Sequence, residues 1–119
     1  MARVLVVDDA MFIRHIISDL LTRHGHEVVG EAANGKEAVE RYRELRPDIT
    51  TLDITMPEMD GITALREILA EDPSAKVIMC SALKEKPKVI EALQAGARDF
   101  ILKPVKPDRV LEAVDKVLM

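Results

Sequence analysis

The sequence predicts an α/β protein with a doubly wound, parallel five-stranded sheet in the order 2-1-3-4-5. Short apolar runs rich in valine and isoleucine alternate five times with longer segments of helical periodicity. This alternation is typical of a parallel sheet covered by helices on both faces. Parallel crossovers are right-handed, and for five such units the order 2-1-3-4-5 is a common arrangement.

The elements follow in a regular order along the chain. The strands are predicted over residues 3–7, 27–32, 48–52, 76–80 and 99–102. The helices are predicted over residues 11–24, 35–45, 61–71, 88–95 and 107–118. Glycine and proline residues stand at the boundaries, where helix ends and turns require them.

Length and composition favour one globular domain. The chain has 119 residues, of which 48% are hydrophobic and 32% charged, so we expect a single domain over residues 1–119. No apolar run is long enough to cross a bilayer, and no secretory signal precedes the first strand. The only cysteine, Cys80, cannot form an internal disulfide. We therefore expect a cytoplasmic protein without membrane contacts.

The charge of the chain is unevenly distributed. The net charge of −4 and the few aromatic residues argue against binding to nucleic acid. Acidic residues are in excess over residues 1–80, whereas basic residues are slightly in excess over residues 81–119. The basic residues in the candidate surface are Lys84, Lys86, Lys88, Arg98, Lys106 and Arg109. This surface is either a solvated face or a docking site for an acidic or amphipathic segment of a target protein.

Polar residues follow four of the five predicted strands. Asp8 and Asp9 follow strand 1, Asp53 follows strand 3, Ser81 follows strand 4 and Lys103 follows strand 5. In a doubly wound sheet, ligands bind beyond the carboxyl ends of the strands, here between strands 1 and 3. Each residue alone could be a helix cap or a turn residue. Together they predict a functional site.

Three converging carboxylates require protons or a cation to offset their repulsion. Oxygen ligands favour Mg²⁺, for which Mn²⁺ could substitute. Acids that bind a metal beside a lysine and a hydroxyl are suited to phosphoryl transfer. We expect Asp53 to be the nucleophile and Asp8 and Asp9 to bind the metal, while Lys103 and Ser81 contact phosphoryl oxygens.

Four segments carry a family resemblance that covers the whole chain. They are VLVVDDAMFIR, PDITTLDITMPEMDG, VIMCSALK and AGARDFILKPV. In this order they resemble the receiver domain of two-component response regulators. Among receivers, they are most similar to the stand-alone chemotaxis regulators of the CheY type. The resemblance implies a flavodoxin-like fold. It also implies a phosphoacceptor switch rather than an enzyme, one that promotes its own phosphotransfer and autodephosphorylation.

The resemblance also implies particular roles. A histidine kinase would phosphorylate Asp53, and Asp9 and Asp53 would bind Mg²⁺ directly. Asp8 would act through water, and the main-chain carbonyl of Thr55 would be a further ligand. Ser81 would occupy the switch position.

Near the end of the chain, the resemblance implies that Lys103 is the lysine typical of the family and that its peptide bond to Pro104 is cis. It also implies that Phe100 is the aromatic switch residue. Tyrosine is common at this last position. Because phenylalanine lacks the hydroxyl, any rotamer change here must be driven by packing. The resemblance also implies that the protein is a monomer. Its implied target is another protein, such as the flagellar motor switch protein.

The first helix offers a second candidate docking surface. Its predicted buried stripe consists of Ile13, Ile16, Ile17 and Leu20. At about 100° per residue, Met11 points nearly opposite to this stripe and Phe12 lies at its margin. They would suit the helical phosphotransfer domain of a kinase, although single exposed apolar residues are also common on protein surfaces.

Other functions remain as alternatives at this stage. A flavin-binding protein would need a phosphate-binding first loop, which Asp8 and Asp9 would oppose. An aspartyl-phosphate phosphohydrolase would need a general acid where Thr55 stands. A pseudo-receiver would bind partners without being phosphorylated. Among receivers, a phosphorelay intermediate and a domain of a larger regulator are further possibilities.

Overall fold

The computed structural model describes residues 1–119 and contains the predicted sheet. The strands are β1 (Arg3–Val7), β2 (Glu27–Ala32), β3 (Ile49–Asp53), β4 (Val77–Ser81) and β5 (Asp99–Leu102). All neighbouring strands are parallel, and their order is β2-β1-β3-β4-β5. The predicted fold class and strand order are therefore confirmed.

Five helices connect and cover the strands. They are α1 (Met11–Arg23), α2 (Gly35–Leu45), α3 (Gly61–Glu71), α4 (Lys86–Ala95) and α5 (Pro107–Leu118). A short 3₁₀ turn, Leu83–Glu85, precedes α4 and was not predicted. None of the helices combines the length and the apolar character needed to cross a membrane.

Strands β3 and β4 each lie one residue later than predicted. The parallel pairing continues to Asp53, opposite Cys80, and to Ser81, opposite Leu102. Asp53 and Ser81 are thus the last residues of their strands rather than the first residues of the following loops. Their backbones are held in the sheet, which places both side chains more rigidly than a loop would.

The sheet separates two hydrophobic cores. Alternate residues of a strand point to opposite faces, so Leu5 and Val7 enter one core while Val4 and Val6 enter the other. The first core lies against α2, α3 and α4, and the second lies against α1 and α5. Burial on both faces explains why the strands are almost uniformly apolar.

The buried face of α1 differs from the predicted stripe. Ile17 and Leu21 are its buried residues, whereas Ile13 and Leu20 pack only partly against the core. Ile16 is also only partly buried. Ile17 and Leu21 are four positions apart and so lie on the same face of the helix. Compared with the prediction, α1 is therefore rotated so that Leu21 faces the core.

Candidate functional site

The three predicted acids lie together at the carboxyl end of the sheet. One carboxylate oxygen from each of Asp8, Asp9 and Asp53 lies within 4.8 Å of the others. Asp8 and Asp53 are buried, with 0% and 3% of their surface exposed, and Asp9 is exposed to solvent. The cluster thus has a buried base and one side that is open to a ligand.

Lys103 reaches this cluster from the end of β5. Its Nζ lies 2.9 Å from Asp8 Oδ2 and 3.3 Å from Asp53 Oδ1. The backbone N–H of Lys103 donates to the carbonyl of Ser81 at 2.7 Å, and the following bond to Pro104 is cis. The ammonium group therefore neutralises part of the negative charge of two buried acids.

Ser81 ends β4 beside this site. Its Oγ is buried and has no hydrogen-bond partner within the protein. A buried hydroxyl without a partner is costly. Ser18, Thr50 and Thr51 also have such hydroxyls, so it is the position of Ser81 beside Asp53 that suggests a ligand. An incoming acceptor at the site would provide the missing partner.

The electrostatics of the site are unbalanced. Burial and the neighbouring Asp8 raise the pKa of Asp53 to about 7, although Lys103 opposes this shift. Burial lowers the pKa of Lys103, but its contact with Asp8 and the charge of Asp53 outweigh burial and raise it. The site holds three acids and one lysine, and the atoms that the acids offer to a metal are all oxygens. These residues fit a hard divalent cation such as Mg²⁺.

Arg14 supports the loop that carries Asp8 and Asp9. Its guanidinium donates to the Asp8 carbonyl at 2.6 Å and to Glu31 at 3.0 Å. The Asp8 carboxylate in turn accepts from the N–H of Ala10 at 3.0 Å. Sequence analysis missed Arg14, whose only signal was a basic residue five positions after Asp9.

Two glycines hold the loop that follows Asp53. The N–H of Gly61 donates to the Ile54 carbonyl, and a Cβ at Gly61 would lie 2.0 Å from the Asp53 carbonyl oxygen. Gly35 donates to the Met59 carbonyl at 2.9 Å, and a Cβ there would lie 2.2 Å from the same oxygen. Only glycine permits these close approaches.

Glu85 connects this loop to the one that follows β4. Its carboxylate accepts hydrogen bonds from the Thr55 hydroxyl and, at 2.9 Å, from the N–H of Ala82. Burial raises the pKa of Glu85, but these two hydrogen bonds together with the charges of Lys103 and Lys88 lower it overall. No sequence pattern marked Glu85.

Cys80 lies beside the site but inside the core. It is opposite Asp53 in the sheet and only 1% exposed. Burial raises the pKa of its thiol to about 12. Cys80 is therefore a core residue, and a thiol in this state is a poor nucleophile.

Phe100, the expected aromatic switch, is partly buried on β5. The guanidinium of Arg109 lies 5.8 Å from the centre of its ring and donates to its carbonyl at 2.5 Å. Arg109 also pairs with the buried Asp99 at 3.0 Å. The ring is therefore held between the core and a basic residue of α5.

Both candidate docking surfaces are accessible. The exposed basic residues include Lys84, Lys88, Arg98 and Lys106. On α1, Met11 and Phe12 are 69% and 72% exposed. Helix α4 adds Ile90 and Leu93, which sequence analysis did not single out; they are 52% and 37% exposed.

Comparison with known proteins agrees with this geometry. Residues 4–115 match the response regulator receiver domain, and the chain belongs to this family. It is 60% identical to the chemotaxis protein CheY of Thermotoga maritima, over 97% of this chain and 96% of that protein. It is also 60% identical to the CheY of Bacillus subtilis, over 98% and 97% of the two chains. The resemblance seen in the sequence is thereby confirmed.

The fold is similar to solved structures of the same family. A CheX–CheY–BeF₃–Mg²⁺ complex from Borrelia burgdorferi has a TM-score of 0.94 and 43% identity, and the match covers 98% of this chain and 89% of that chain. The response regulator domain of Thermotoga maritima CheB has a TM-score of 0.86 and 42% identity, with coverages of 98% and 92%. The chain is thus a receiver, a class of phosphoacceptor switch.

Proposed function

We propose that this protein is a chemotaxis response regulator in which Asp53 accepts a phosphoryl group from a histidine kinase. The observation that carries this proposal is the convergence of three acids at the end of the central strand β3, where Lys103 contacts two of them, Asp8 and Asp53. The names of the relatives in Thermotoga maritima and Bacillus subtilis support chemotaxis as the process.

The phosphotransfer step follows from the position of Asp53. One of its carboxylate oxygens attacks the phosphorus of a phosphohistidine, and the P–N bond breaks. An acyl phosphate forms on Asp53, and the released imidazole takes up a proton from solvent. Lys103 neutralises one phosphoryl oxygen, and the unpartnered hydroxyl of Ser81 donates to another.

The acids would hold a magnesium ion for this step. We assign direct binding to Asp9 and Asp53, binding through water to Asp8, and a further ligand to the Thr55 carbonyl. When bound, Mg²⁺ or its substitute Mn²⁺ neutralises charge that develops on the phosphoryl oxygens. Only deprotonated Asp53 can bind the ion or attack phosphorus, and its raised pKa makes deprotonation harder in the protein without metal.

The same residues would also promote loss of the phosphoryl group. Water attacks the phosphorus, the bond between phosphorus and the Asp53 oxygen breaks, and inorganic phosphate leaves. The exposed side of Asp9 leaves room for that water. This autodephosphorylation would return the switch to its starting state without a second protein.

Output would depend on the surface formed by α4, β5 and α5. A phosphoryl group that engages Ser81 would change the packing around Phe100, and its ring would move against Arg109. The exposed basic residues would then contact an acidic segment of a flagellar motor switch protein. Met11 and Phe12 would contact the kinase. We propose a monomeric, single-domain protein acting in the cytoplasm.

Acetyl phosphate with Mg²⁺ tests the proposal directly. Intact-mass measurement is expected to show one added phosphoryl group on the wild type and none on Asp53→Asn. The control is Asp60→Asn, an exposed acid of the same loop whose replacement can still cap α3. It should be modified like the wild type.

Two results would contradict the assignment. An unmodified wild-type protein would indicate a pseudo-receiver, which binds partners without phosphorylation. A modified Asp53→Asn variant would place the acceptor at another residue.

A further inference from the structure

Glu85 bridges the two loops that border the phosphorylation site. One carboxylate oxygen accepts from the N–H of Ala82, in the loop after β4, at 2.9 Å. The other accepts from the hydroxyl of Thr55, in the loop after β3. These loops leave neighbouring strands whose last residues are Asp53 and Ser81. A single anionic side chain therefore closes the space between them.

The two donors that Glu85 occupies flank the candidate acceptor. Ala82 directly follows Ser81, and Thr55 is two residues beyond Asp53. A phosphoryl group on Asp53 would add a charge of about −2 and three acceptor oxygens to this space. Those oxygens need donors from the same loops, and Glu85 already uses two of them.

A purely local role does not account for the arrangement. A glutamate that accepts from an N–H three residues earlier is a common way to cap a turn, and this explains the contact with Ala82. It does not explain the contact with Thr55, which is 30 residues away in the sequence. Both partners of Glu85 are uncharged donors, so the contacts are not surface ion pairs with the neighbouring lysines.

We propose that Glu85 is an internal anionic latch, whose carboxylate holds the donors of Ala82 and Thr55 until a phosphoryl group on Asp53 displaces it. The inference rests on the proposed function of Asp53. Glu85 and the phosphoryl group are both anions that need donors from the same two loops, so they compete for those donors. Glu85 is also the last residue of the 3₁₀ turn before α4, so its release frees the start of that helix.

Competition is reciprocal, which makes it measurable. If the phosphoryl group displaces Glu85, then removing the charge of Glu85 must strengthen binding of a phosphoryl analogue. The change Glu85→Gln removes the charge and keeps an oxygen that can accept from Ala82. Glu58→Gln is the matched control, since it removes the same charge from an exposed residue of the loop after β3.

The affinity for beryllofluoride in the presence of Mg²⁺ is the first measurement. Isothermal titration should show binding to Glu85→Gln about tenfold tighter than to the wild type, because one unit charge near a partly exposed anion contributes about that much. Glu58→Gln should stay within about twofold of the wild type, as an exposed charge does. Equal affinity of Glu85→Gln and wild type would overturn the latch.

The amide signal of Ala82 in a ¹H–¹⁵N spectrum is the second measurement. In the free proteins, this signal should differ between wild type and Glu85→Gln. After beryllofluoride is added, the two signals should coincide, because the side chain at position 85 no longer contacts Ala82. A difference that persists unchanged in the bound proteins would show that Glu85 stays in place and that the latch is wrong.

The outcomes separate this inference from the function on which it rests. If the wild type binds beryllofluoride and Asp53→Asn does not, while Glu85→Gln behaves like the wild type, only the latch fails. If the wild type does not bind, or if Asp53→Asn binds equally well, both the latch and the assignment of Asp53 fail. Unchanged signals of the remaining residues in the spectrum of Glu85→Gln establish that its fold is intact.

Discussion

Two groups of polar residues at opposite ends of the sheet have different hydrogen-bond environments. At the amino end, the Tyr42 hydroxyl donates to Asp72 at 2.7 Å, and the Ser74 hydroxyl donates to the same carboxylate at 2.7 Å. The backbone of Arg3 donates to Asp48 at 2.8 Å. At the carboxyl end, the Ser81 hydroxyl has no partner within the protein.

Two aspartates show the difference most clearly. Hydrogen bonds from Tyr42 and Ser74 lower the pKa of Asp72, so its charged form is favoured in the folded protein. Burial and the nearby Asp8 raise the pKa of Asp53, so its charged form is disfavoured. The surroundings of Asp72 thus stabilise the fold, whereas those of Asp53 lower its stability, as is common at sites that serve a ligand.

The largest effect that tests this comparison is expected at Gly61. Its missing side chain lets the chain pass the Asp53 carbonyl, and a Cβ would lie 2.0 Å from that oxygen. Gly61→Ala should lower the free energy of unfolding by about 3 kcal/mol, since a tightly packed site must shift. It should also impair phosphorylation, because the displaced backbone carries Asp53.

Gly25 is the matched glycine at the other end. It has a φ of 86° and nothing within 4 Å of its absent Cβ. Gly25→Ala should therefore cost only about 1 kcal/mol, through backbone conformation alone. Urea denaturation of both variants provides the measurement, and equal losses would contradict the difference between the two ends.

The second effect concerns Asp53 and pH. Its pKa of about 7 exceeds its ordinary value of 3.8. Between these values the folded protein binds more protons than the unfolded chain, so stability falls as pH rises. Asp53→Asn removes this loss and should raise the free energy of unfolding at pH 8 by about 2 kcal/mol, a figure reduced for partial solvent screening.

Denaturation without magnesium at about pH 8 and pH 4 checks this result. The gain should vanish at the lower pH, where Asp53 is protonated in the folded protein. Asp72→Asn is the control and should have the opposite sign, since a lowered pKa stabilises the fold above the unfolded value and the contribution is lost as pH falls. A gain for Asp53→Asn that is independent of pH would indicate a steric cause.

The smallest effect is expected at Arg14. Arg14→Gln removes the hydrogen bond to the Asp8 carbonyl and the ion pair with Glu31, while the acids remain. The dissociation constant for Mg²⁺ should rise roughly threefold, which is the order of one hydrogen bond. Arg23→Gln, which removes an exposed ion pair with Asp19 on the same helix, should leave it unchanged. Equal effects of the two variants would exclude a positioning role for Arg14.

Sequence reasoning predicted the sheet and the candidate site because both depend on simple rules. Strands buried on both faces are apolar throughout, and their carboxyl ends meet at one edge. Asp8, Asp53 and Lys103 could therefore be placed together although the sequence separates them widely. Their chemical roles stay predictions until phosphorylation is measured.

Contacts between loops could not be predicted in this way. The bridge from Glu85 to Thr55 depends on a 3₁₀ turn that no periodicity marks. The pairing of Arg14 with Glu31 depends on how α1 is rotated about its axis. The apolar pattern predicted a buried face that includes Ile16, whereas the buried face contains Leu21. Such contacts depend on side-chain reach and loop conformation rather than on spacing in the sequence.

The buried thiol of Cys80 makes this molecule its own reporter. It is the only cysteine in the chain and lies opposite Asp53, closed off from solvent. Its side chain lies in the core between the sheet and helices α1 and α5. A thiol-reactive dye can reach it only when this core opens, so the rate of labelling measures how often that opening occurs. Ligands that stabilise this part of the protein would lower the rate at which Cys80 is labelled, so no engineered probe is needed.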